Sequence, residues 1–165
     1  MKFLVFSDSH GNVETMRQAV AWEQPQGIIH LGDCWPDGQA LSRSLPGLPV
    51  YQVAGNCDRY CTSPGMVQIL RLELGGVVCY LCHGHQFRVK MGLLRLKLAA
   101  QEANARVALF GHTHRSFCQE TDGLLLLNPG ACGSEYGTYG VLEWKQGAVT
   151  GEIRPMSREN EEDIP

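Results

Sequence analysis

The chain has 165 residues, 44% of them apolar, and this size and composition predict a single domain with a hydrophobic core. Its 14 basic and 17 acidic residues give a net charge of −3, which disfavours nucleic acid and anionic membrane surfaces as partners. Any affinity for phosphate would therefore have to be local. No apolar run approaches the roughly 20 residues of a bilayer span, so we expect a cytoplasmic protein.

The first third of the chain has the pattern of a βαβαβ unit. Three apolar runs each end in polar residues, which is typical of strands that lead into loops. The stretches between them have helical patterns, and parallel strands require such crossovers. The predicted elements are a strand over 2–7, a helix from Val13 with Asn12 as its N-cap, a strand over 27–31, a helix over 37–45 and a strand over 50–54.

The remainder of the chain is predicted to consist mostly of strands. Gly75-Gly76 indicates a hairpin that makes the sheet mixed from that point, and leucines interspersed with basic residues predict an amphipathic helix over 91–104. Turns at Asp122-Gly123 and Gln146-Gly147 favour antiparallel pairing of the last strands. The predicted strands cover residues 67–74, 77–82, 106–110, 116–120, 124–127, 140–144 and 148–153.

The end of the chain is polar and acidic from Pro155 onward. Such a segment has little apolar surface with which to pack against a domain. We therefore predict a domain over residues 1–154 and a flexible tail over residues 155–165.

The seven cysteines are scattered over apolar runs and loops, which favours reduced thiols over disulfides. Cys79 and Cys82 form a CxxC pair within the apolar run 77–82. Side chains three residues apart on a strand point to opposite faces of the sheet. The sequence therefore predicts buried structural cysteines here and disfavours a zinc or redox protein.

Histidine, aspartate and asparagine residues cluster where the apolar runs end. Five of the six histidines fall within residues 8–10, 83–85 and 112–114, and further polar side chains occur at 32–33 and 55–58. Sites in open α/β sheets form at the carboxyl edge of the strands, so we expect these side chains to converge there. Imidazole nitrogen together with carboxylate and amide oxygen suits Mn, Fe, Co, Ni or Zn better than magnesium.

The motifs DSH, GDC, GNCD, HGH and GHTH follow one another between residues 8 and 114. This series resembles the calcineurin-like metallophosphoesterase family, and within it the small bacterial and archaeal YfcE-like phosphodiesterase branch. The loop Asn128-Pro129-Gly130-Ala131 resembles the NPGS loop that follows in that family. The resemblance implies an α/β fold, a four-layer α/β/β/α sandwich of two mixed β-sheets flanked by helices.

The resemblance also implies a binuclear metal centre. Its two divalent transition-metal ions are expected to be manganese, with nickel, iron, cobalt or zinc as alternatives. Their excess positive charge would attract a small phosphoester substrate. By motif, one ion is held by Asp8, His10, Asp33 and His114, and the other by Asp33, Asn56, His83 and His112, with Asp33 between them.

The expected reaction is hydrolysis of phosphodiesters, with phosphomonoesters as the alternative substrates. Two ions roughly 3.5–4 Å apart can share a water and lower its pKa, so that a bridging hydroxide becomes the nucleophile. Asp33, Asn56 and His83 are assigned to the catalytic centre around that hydroxide. No serine or cysteine nucleophile is evident in the sequence.

Other polar residues near the motifs are expected to support the metal ligands. Cys57 stands where larger relatives have histidine, and a thiol with a pKa near 8.5 protonates a leaving group poorly, which predicts a bias toward good leaving groups. Asp58 is expected either to orient a ligand histidine or to cap backbone amides. His85 is expected beside the metals, and His30 is expected to be a hydrogen-bonded core residue.

One rival function is a non-catalytic interaction scaffold, because a retromer subunit has the same fold with an eroded metal site. Here no ligand of the family pattern is missing, which favours an enzyme. Exposed sheet surface is also compatible with a homo-oligomer.

Overall fold

The computed structural model describes residues 1–145 and 147–157, and within these ranges the chain forms three α-helices and two five-stranded sheets. Two short 3₁₀ helices cover Cys57–Tyr60 and His85–Phe87. The helices are α1 (Val13–Glu23), α2 (Trp35–Ser44) and α3 (Leu94–Glu102), and the strands are β1 (Lys2–Phe6), β2 (Gly27–His30), β3 (Val50–Gln52), β4 (Ile69–Leu74), β5 (Val77–Cys82), β6 (Val107–Leu109), β7 (Phe117–Thr121), β8 (Leu124–Asn128), β9 (Thr138–Lys145) and β10 (Ala148–Pro155).

The first sheet contains the predicted βαβαβ unit. Its strand order is β10-β9-β1-β2-β3, with β1, β2 and β3 parallel and joined by α1 and α2. This sheet becomes mixed because β9, from the end of the chain, pairs antiparallel with β1 and with β10. The expectation that the hairpin at Gly75-Gly76 makes this sheet mixed is wrong, since that hairpin opens the second sheet.

The second sheet has the order β4-β5-β6-β8-β7. Strands β5, β6 and β8 are parallel, whereas the β4–β5 and β7–β8 pairs are antiparallel. The predicted antiparallel pairing of the last four strands therefore holds within each hairpin. The two hairpins, however, belong to different sheets.

Alternating side chains on the inner strands divide the interior into three apolar layers. On β1, Phe3 and Val5 pack into the core between the sheets, while Leu4 and Phe6 pack against α1 and α2. On β6, Val107 and Leu109 likewise face the first sheet, whereas Ala108 packs in the layer under α3. The order helices, sheet, sheet, helix confirms the predicted four-layer sandwich of two mixed sheets.

The start of one helix agrees with its prediction, and the starts of the other two differ. Asn12 caps α1 as predicted, with its side chain accepting a hydrogen bond from the Thr15 amide at 3.3 Å. The third helix begins only at Leu94, because Gly92 has φ +146° and cannot continue a helix toward Met91. The second helix begins at Trp35, two residues before its predicted start.

The CxxC pair lies on opposite faces of β5, as predicted. Cys79 belongs to the core between the sheets, and Cys82 to the core under α3. All seven cysteines are free. No helix in the described part of the chain has the length and apolarity needed to cross a membrane.

Strand β10 extends through Pro155, and Met156 is buried against the layer of α1 and α2. The described domain thus continues slightly past the expected boundary at 154. Residues 158–165 of the predicted tail, and Gln146 of the predicted turn, lie outside the described residues, so the tail stays a prediction.

Candidate metal centre

The polar loops after β1, β2, β5 and β6 meet at one edge of the sandwich. The Asp8 amide donates to the Gly32 carbonyl at 3.0 Å, and the Gly111 amide donates to the His83 carbonyl at 2.9 Å. The His112 amide donates to Asp8 Oδ2 at 3.1 Å, which ties a loop of the second sheet to a loop of the first. Strand order and register thus bring together motifs from both sheets.

One group of predicted ligands forms a compact cluster. Asp8, His10, Asp33 and His114 each place one donor atom within 4.8 Å of the others, a spacing that suits a single metal ion. His114 Nε2 lies 3.1 Å from Asp8 Oδ1. The two carboxylates are buried and the two histidines are exposed, so this cluster faces solvent on its histidine side.

The second group centres on His83, whose side chain is fully buried. Its Nε2 lies 3.4 Å from Asp33 Oδ2 and 3.9 Å from Asp8 Oδ1, and its ring centroid lies 5.1 Å from that of His112. Its Nδ1 lies 2.7 Å from the Leu31 carbonyl. Because a carbonyl only accepts, Nδ1 carries the hydrogen, and Nε2 of the neutral ring keeps a lone pair for a metal.

Several buried polar atoms at this edge have no hydrogen-bond partner among the described residues. Burying such an atom without a partner costs roughly 1–3 kcal/mol, so their clustering calls for a ligand that satisfies them together. The donor types, imidazole nitrogen with carboxylate and amide oxygen, fit a transition-metal ion. Among the predicted ligands these atoms are Asp8 Oδ1, Asn56 Oδ1, His83 Nε2 and His112 Nδ1, and Nδ1 of the neighbouring His85 is a further one.

The charges at the centre favour a cation between the carboxylates. Burial opposes ionisation of Asp33, but the adjacent His83 ring and the hydrogen bond from the Cys57 amide outweigh it and hold the pKa of Asp33 well below its usual range. Burial also disfavours the charged form of His83, yet Asp33 and Asp8 outweigh it and raise the His83 pKa. Burial and the charge of His83 lower the pKa of His112.

Five of the seven predicted ligands have left-handed backbone conformations. A residue other than glycine rarely adopts positive φ, and such conformations concentrate at functional sites. They turn consecutive side chains of a short loop toward one point. The φ values are 55° for Asp8, 47° for His10, 56° for Asp33, 66° for His112 and 59° for His114.

Asp58 holds two of the loops together through their backbones. Its carboxylate accepts hydrogen bonds from the amides of Asp33, Cys34, Trp35 and Gly55, at 2.6–3.1 Å. Of the two predicted roles, this geometry corresponds to the capping of backbone amides. Gly55 is required here because a Cβ at this position would overlap Asp33 Oδ1.

Asp37 holds the loop that carries Asp8, and sequence reasoning did not single it out. Its Oδ2 accepts from Ser9 Oγ and from the Gly11 amide, both at 2.7 Å. Ser9 Oγ also lies 3.0 Å from His30 Nε2, and burial lowers the pKa of His30 to about 4, so that ring is neutral. His30 is thus a buried, hydrogen-bonded residue, as predicted.

Asn128 holds the loop that carries His112 in place. Its Nδ2 donates to the Gly111 carbonyl at 2.9 Å and to Thr113 Oγ1 at 3.0 Å, while its Oδ1 accepts from the Gly130 amide. Asn128 is fully buried. The sequence analysis matched its motif to the family but assigned no role to this residue.

Cys57 and His85 lie beside the ligands. Cys57 is exposed, its amide donates to Asp33 Oδ1 at 2.9 Å, and burial together with Asp33 raises the pKa of its thiol. The His85 ring centroid lies 5.5 Å from that of His83 and 6.1 Å from that of His112. The roles of both residues in catalysis stay predictions, as do the individual metal-ligand assignments.

Comparison with known proteins identifies one family domain and relatives named as phosphoesterases. Residues 1–147 match the calcineurin-like phosphoesterase superfamily domain. The chain is 32% identical to the probable metallophosphoesterase YsnB of Bacillus subtilis over 134 residues, 79% of this chain and 75% of YsnB. It is 25% identical to phosphodiesterase MJ0936 of Methanocaldococcus jannaschii over 148 residues, 80% of this chain and 84% of that protein.

Solved structures agree with this grouping. A conserved protein of Streptococcus pneumoniae TIGR4, described as a predicted phosphoesterase, has a TM-score of 0.77 and 25% identity, covering 94% of this chain and 89% of that one. Vps29 of Entamoeba histolytica, in complex with zinc, has a TM-score of 0.73 over 95% of this chain and all of that one; at 20% identity it shows the fold alone. With the family domain matched over most of its length, the chain belongs to the calcineurin-like phosphoesterase superfamily.

Proposed function

We propose that this protein is a metal-dependent phosphodiesterase with a binuclear centre, with phosphomonoesters as alternative substrates. The observation that carries the proposal is the convergence of ligand side chains from both sheets around four buried atoms that lack hydrogen-bond partners. The superfamily membership and the phosphodiesterase name of MJ0936 support it.

Two divalent ions bound here would supply Lewis-acid charge for phosphoryl oxygens and would acidify a water molecule so that it can attack phosphorus. Asp8 and Asp33 return only two negative charges for the four positive ones, so the loaded centre attracts a phosphoester. His83, fixed by the Leu31 carbonyl, keeps Nε2 directed at Asp33. One ion would be held by Asp8, His10, Asp33 and His114, and the other by Asp33, Asn56, His83 and His112.

Metal dependence is tested with bis(4-nitrophenyl) phosphate. We expect chelation to abolish hydrolysis and manganese to restore it, with nickel, iron, cobalt and zinc compared in parallel. Elemental analysis of the active protein should give two equivalents of metal per chain. Full activity in rigorously metal-free protein contradicts the proposal, and full activity with one equivalent contradicts the binuclear centre.

The rival function is a protein-interaction scaffold. The ligand set is intact, which supports an enzyme, and the likeness to Vps29 concerns the fold only. An Asp33→Ala strain that keeps every phenotype of the wild type would favour the scaffold.

We also propose a cytoplasmic location, which the seven unpaired thiols support. We further propose a homo-oligomer, for which the exposed side chains of Met91, Leu94 and Leu98 supply an apolar surface.

A further inference from the structure

A cavity of about 590 Å³ lies beside the metal centre, between residues 89–93 and residues 110–117. Its volume falls within the range of roughly 300–1,000 Å³ that is typical of small-molecule sites. Thr113 lines it, and this residue lies between the predicted ligands His112 and His114. A molecule in the cavity would therefore lie against the loop that carries these two predicted ligands.

Four of the eight residues that line the cavity are apolar, and two of these are aromatic. Val89 and Phe110 are buried, at 5% and 2% exposure, and Leu93 and Phe117 are half-buried. The ring centroids of Phe110 and Phe117 lie 6.3 Å apart with the rings tilted. Such walls favour a flat apolar group, since aromatic rings pack edge to face or offset at these separations.

Two cations border the cavity. Lys90 and Arg115 both line it, and both are exposed. Neither side chain has a carboxylate within ion-pair distance among the described residues. Two unneutralised positive charges at the mouth of an apolar cavity complement a ligand that carries a negative charge of its own.

We propose that this cavity binds one ester group of the substrate, a flat apolar body that carries a negative charge in addition to that of the phosphoryl group. The inference rests on the proposed function, because it places the phosphoryl group on the metals. The cavity then selects the substrate class: aryl-like or heteroaromatic esters with an extra anionic group are preferred over small alkyl esters.

Binding of three phosphonates tests the proposal without turnover, since their C–P bonds resist hydrolysis. Methylphosphonate, phenylphosphonate and 4-carboxyphenylphosphonate are titrated calorimetrically into the manganese-loaded protein. Burial of the ring should make phenylphosphonate at least about tenfold tighter than methylphosphonate. The carboxylate should add roughly a further two- to fivefold, and this gain should shrink in high salt.

Substitutions in the cavity test which residues produce the two gains in affinity. Arg115→Glu and Lys90→Glu should remove or invert the gain from the carboxylate, and Ser116→Trp, which fills the cavity from an exposed position, should remove the gain from the ring. Arg43→Glu is the matched control, because it makes the same change in net charge on α2, outside the cavity, and should keep both gains.

Equal affinity for the three phosphonates overturns the proposal, and so do gains that survive Arg115→Glu and Ser116→Trp. Failure of the proposed function is separate: it is shown by absent hydrolysis of bis(4-nitrophenyl) phosphate. In that case the phosphonate affinities still decide whether the cavity recognises an anionic aryl group.

Discussion

Asp33 is the residue that links the two ligand groups. Its Oδ2 lies 3.4 Å from His83 Nε2 and so faces the second ligand group, and its Oδ1 accepts a hydrogen bond from the Cys57 amide at 2.9 Å. It also belongs to the compact cluster with Asp8. A neutral side chain of the same shape would keep the packing but lose the charge that a shared ligand must supply.

Asp33→Asn should therefore lose metal and activity together. Since changes in outer-shell partners alone cost roughly 10–100-fold, loss of a shared ligand should lower kcat/KM by more than about 100-fold. The measurements are kcat/KM with bis(4-nitrophenyl) phosphate and metal content per chain. Asp122→Asn is the control, because Asp122 is exposed and, among the described residues, its one ion pair is with Lys97. An Asp33→Asn protein with two metals and full activity contradicts the assignment.

Cys57 gives a second prediction at the same scale. Its thiol pKa is raised by burial and Asp33, so the group is a poor proton donor to a leaving group at neutral pH. Cys57→His should speed hydrolysis of alkyl esters by at least about tenfold, a gain set below the roughly 100- to 10,000-fold typical of general acid–base catalysis, and should change hydrolysis of aryl esters little. Cys57→Ser, which adds no acid, should leave the rate for alkyl esters unchanged. An unchanged dependence of rate on leaving-group pKa in Cys57→His would refute the prediction.

At the scale of secondary-structure elements, a few carboxylates fix loops that have little regular structure. Asp58 joins the loop after β2 to the loop after β3, and Asp37, from the first turn of α2, holds the loop after β1. Asp58 accepts from the amides of Asp33 and Cys34, and Asp37 accepts from the amide of Gly11. All three of these donor residues have positive φ. The ligand side chains are thus positioned by the chain around them as well as by their own strands.

Asp58→Asn should weaken the centre without touching a ligand. An amide offers one acceptor oxygen in place of two, so some of the four backbone donors lose their partner, which costs about 1–3 kcal/mol of the free energy of unfolding. Manganese affinity should fall roughly 10–100-fold. Urea unfolding and a metal titration measure the two effects, with Asp122→Asn as control. Unchanged manganese affinity would show that Asp58 serves folding alone.

The strands and the ligand motifs were predictable from sequence, because both depend on local patterns. Apolar runs ending in Asp8, Asp33 or His83 mark the carboxyl ends of strands, and the family resemblance supplies their order. The supporting residues were not predictable in this way. Asp37 and Ser9 are 28 positions apart, and the backbone amides that a buried side chain reaches depend on how the loops pack.

The start of α3 and the division into sheets show the same limit. An amphipathic pattern continues through Gly92, but its backbone conformation, which the pattern does not encode, begins the helix later. Hairpins were located by their turns, yet their assignment to one sheet or the other depends on pairing between distant strands. Short-range periodicity carries no information about that pairing.

At the scale of the whole molecule, Glu23 joins the end of α1 to three neighbouring strands of the first sheet, β1, β9 and β10. It accepts from Lys2 Nζ at 3.0 Å, Arg154 Nη1 at 2.6 Å and Tyr139 Oη at 3.0 Å. Burial opposes its ionisation, but these partners outweigh burial and lower its pKa to about 2. In the unfolded chain the carboxyl titrates near its ordinary value.

Stability should therefore depend on pH through Glu23. A lowered pKa in the folded state stabilises the protein above the unfolded pKa of 4.5, and this stabilisation is lost as pH falls from there toward 2. The shift corresponds to about 3 kcal/mol at neutral pH. Urea unfolding at pH 7 and pH 3 should show a smaller pH effect in Glu23→Gln than in the wild type. The same pH dependence in both proteins would assign the acid sensitivity to other carboxyls.

The proposed metal centre would also join the two sheets of the molecule, because each proposed ion takes ligands from both sheets. Asp8, His10, Asp33 and Asn56 belong to loops of the first sheet, whereas His83, His112 and His114 belong to loops of the second. The hydrogen bond from the His112 amide to Asp8 Oδ2 also joins the two sheets at this edge. Bound ions would connect the two sheets far more strongly.

Chelation should therefore lower the melting temperature as well as the activity. An ion that binds only the folded state at 100 times its Kd adds about 2.7 kcal/mol, which corresponds to roughly 5–10 °C for a domain of this size. Differential scanning calorimetry with manganese and with chelator measures the shift. Asp33→Asn should show little shift, because it lacks the ligand common to both ions. A chelation shift of equal size in that variant would mean that the stabilising metal binds somewhere other than between the two sheets.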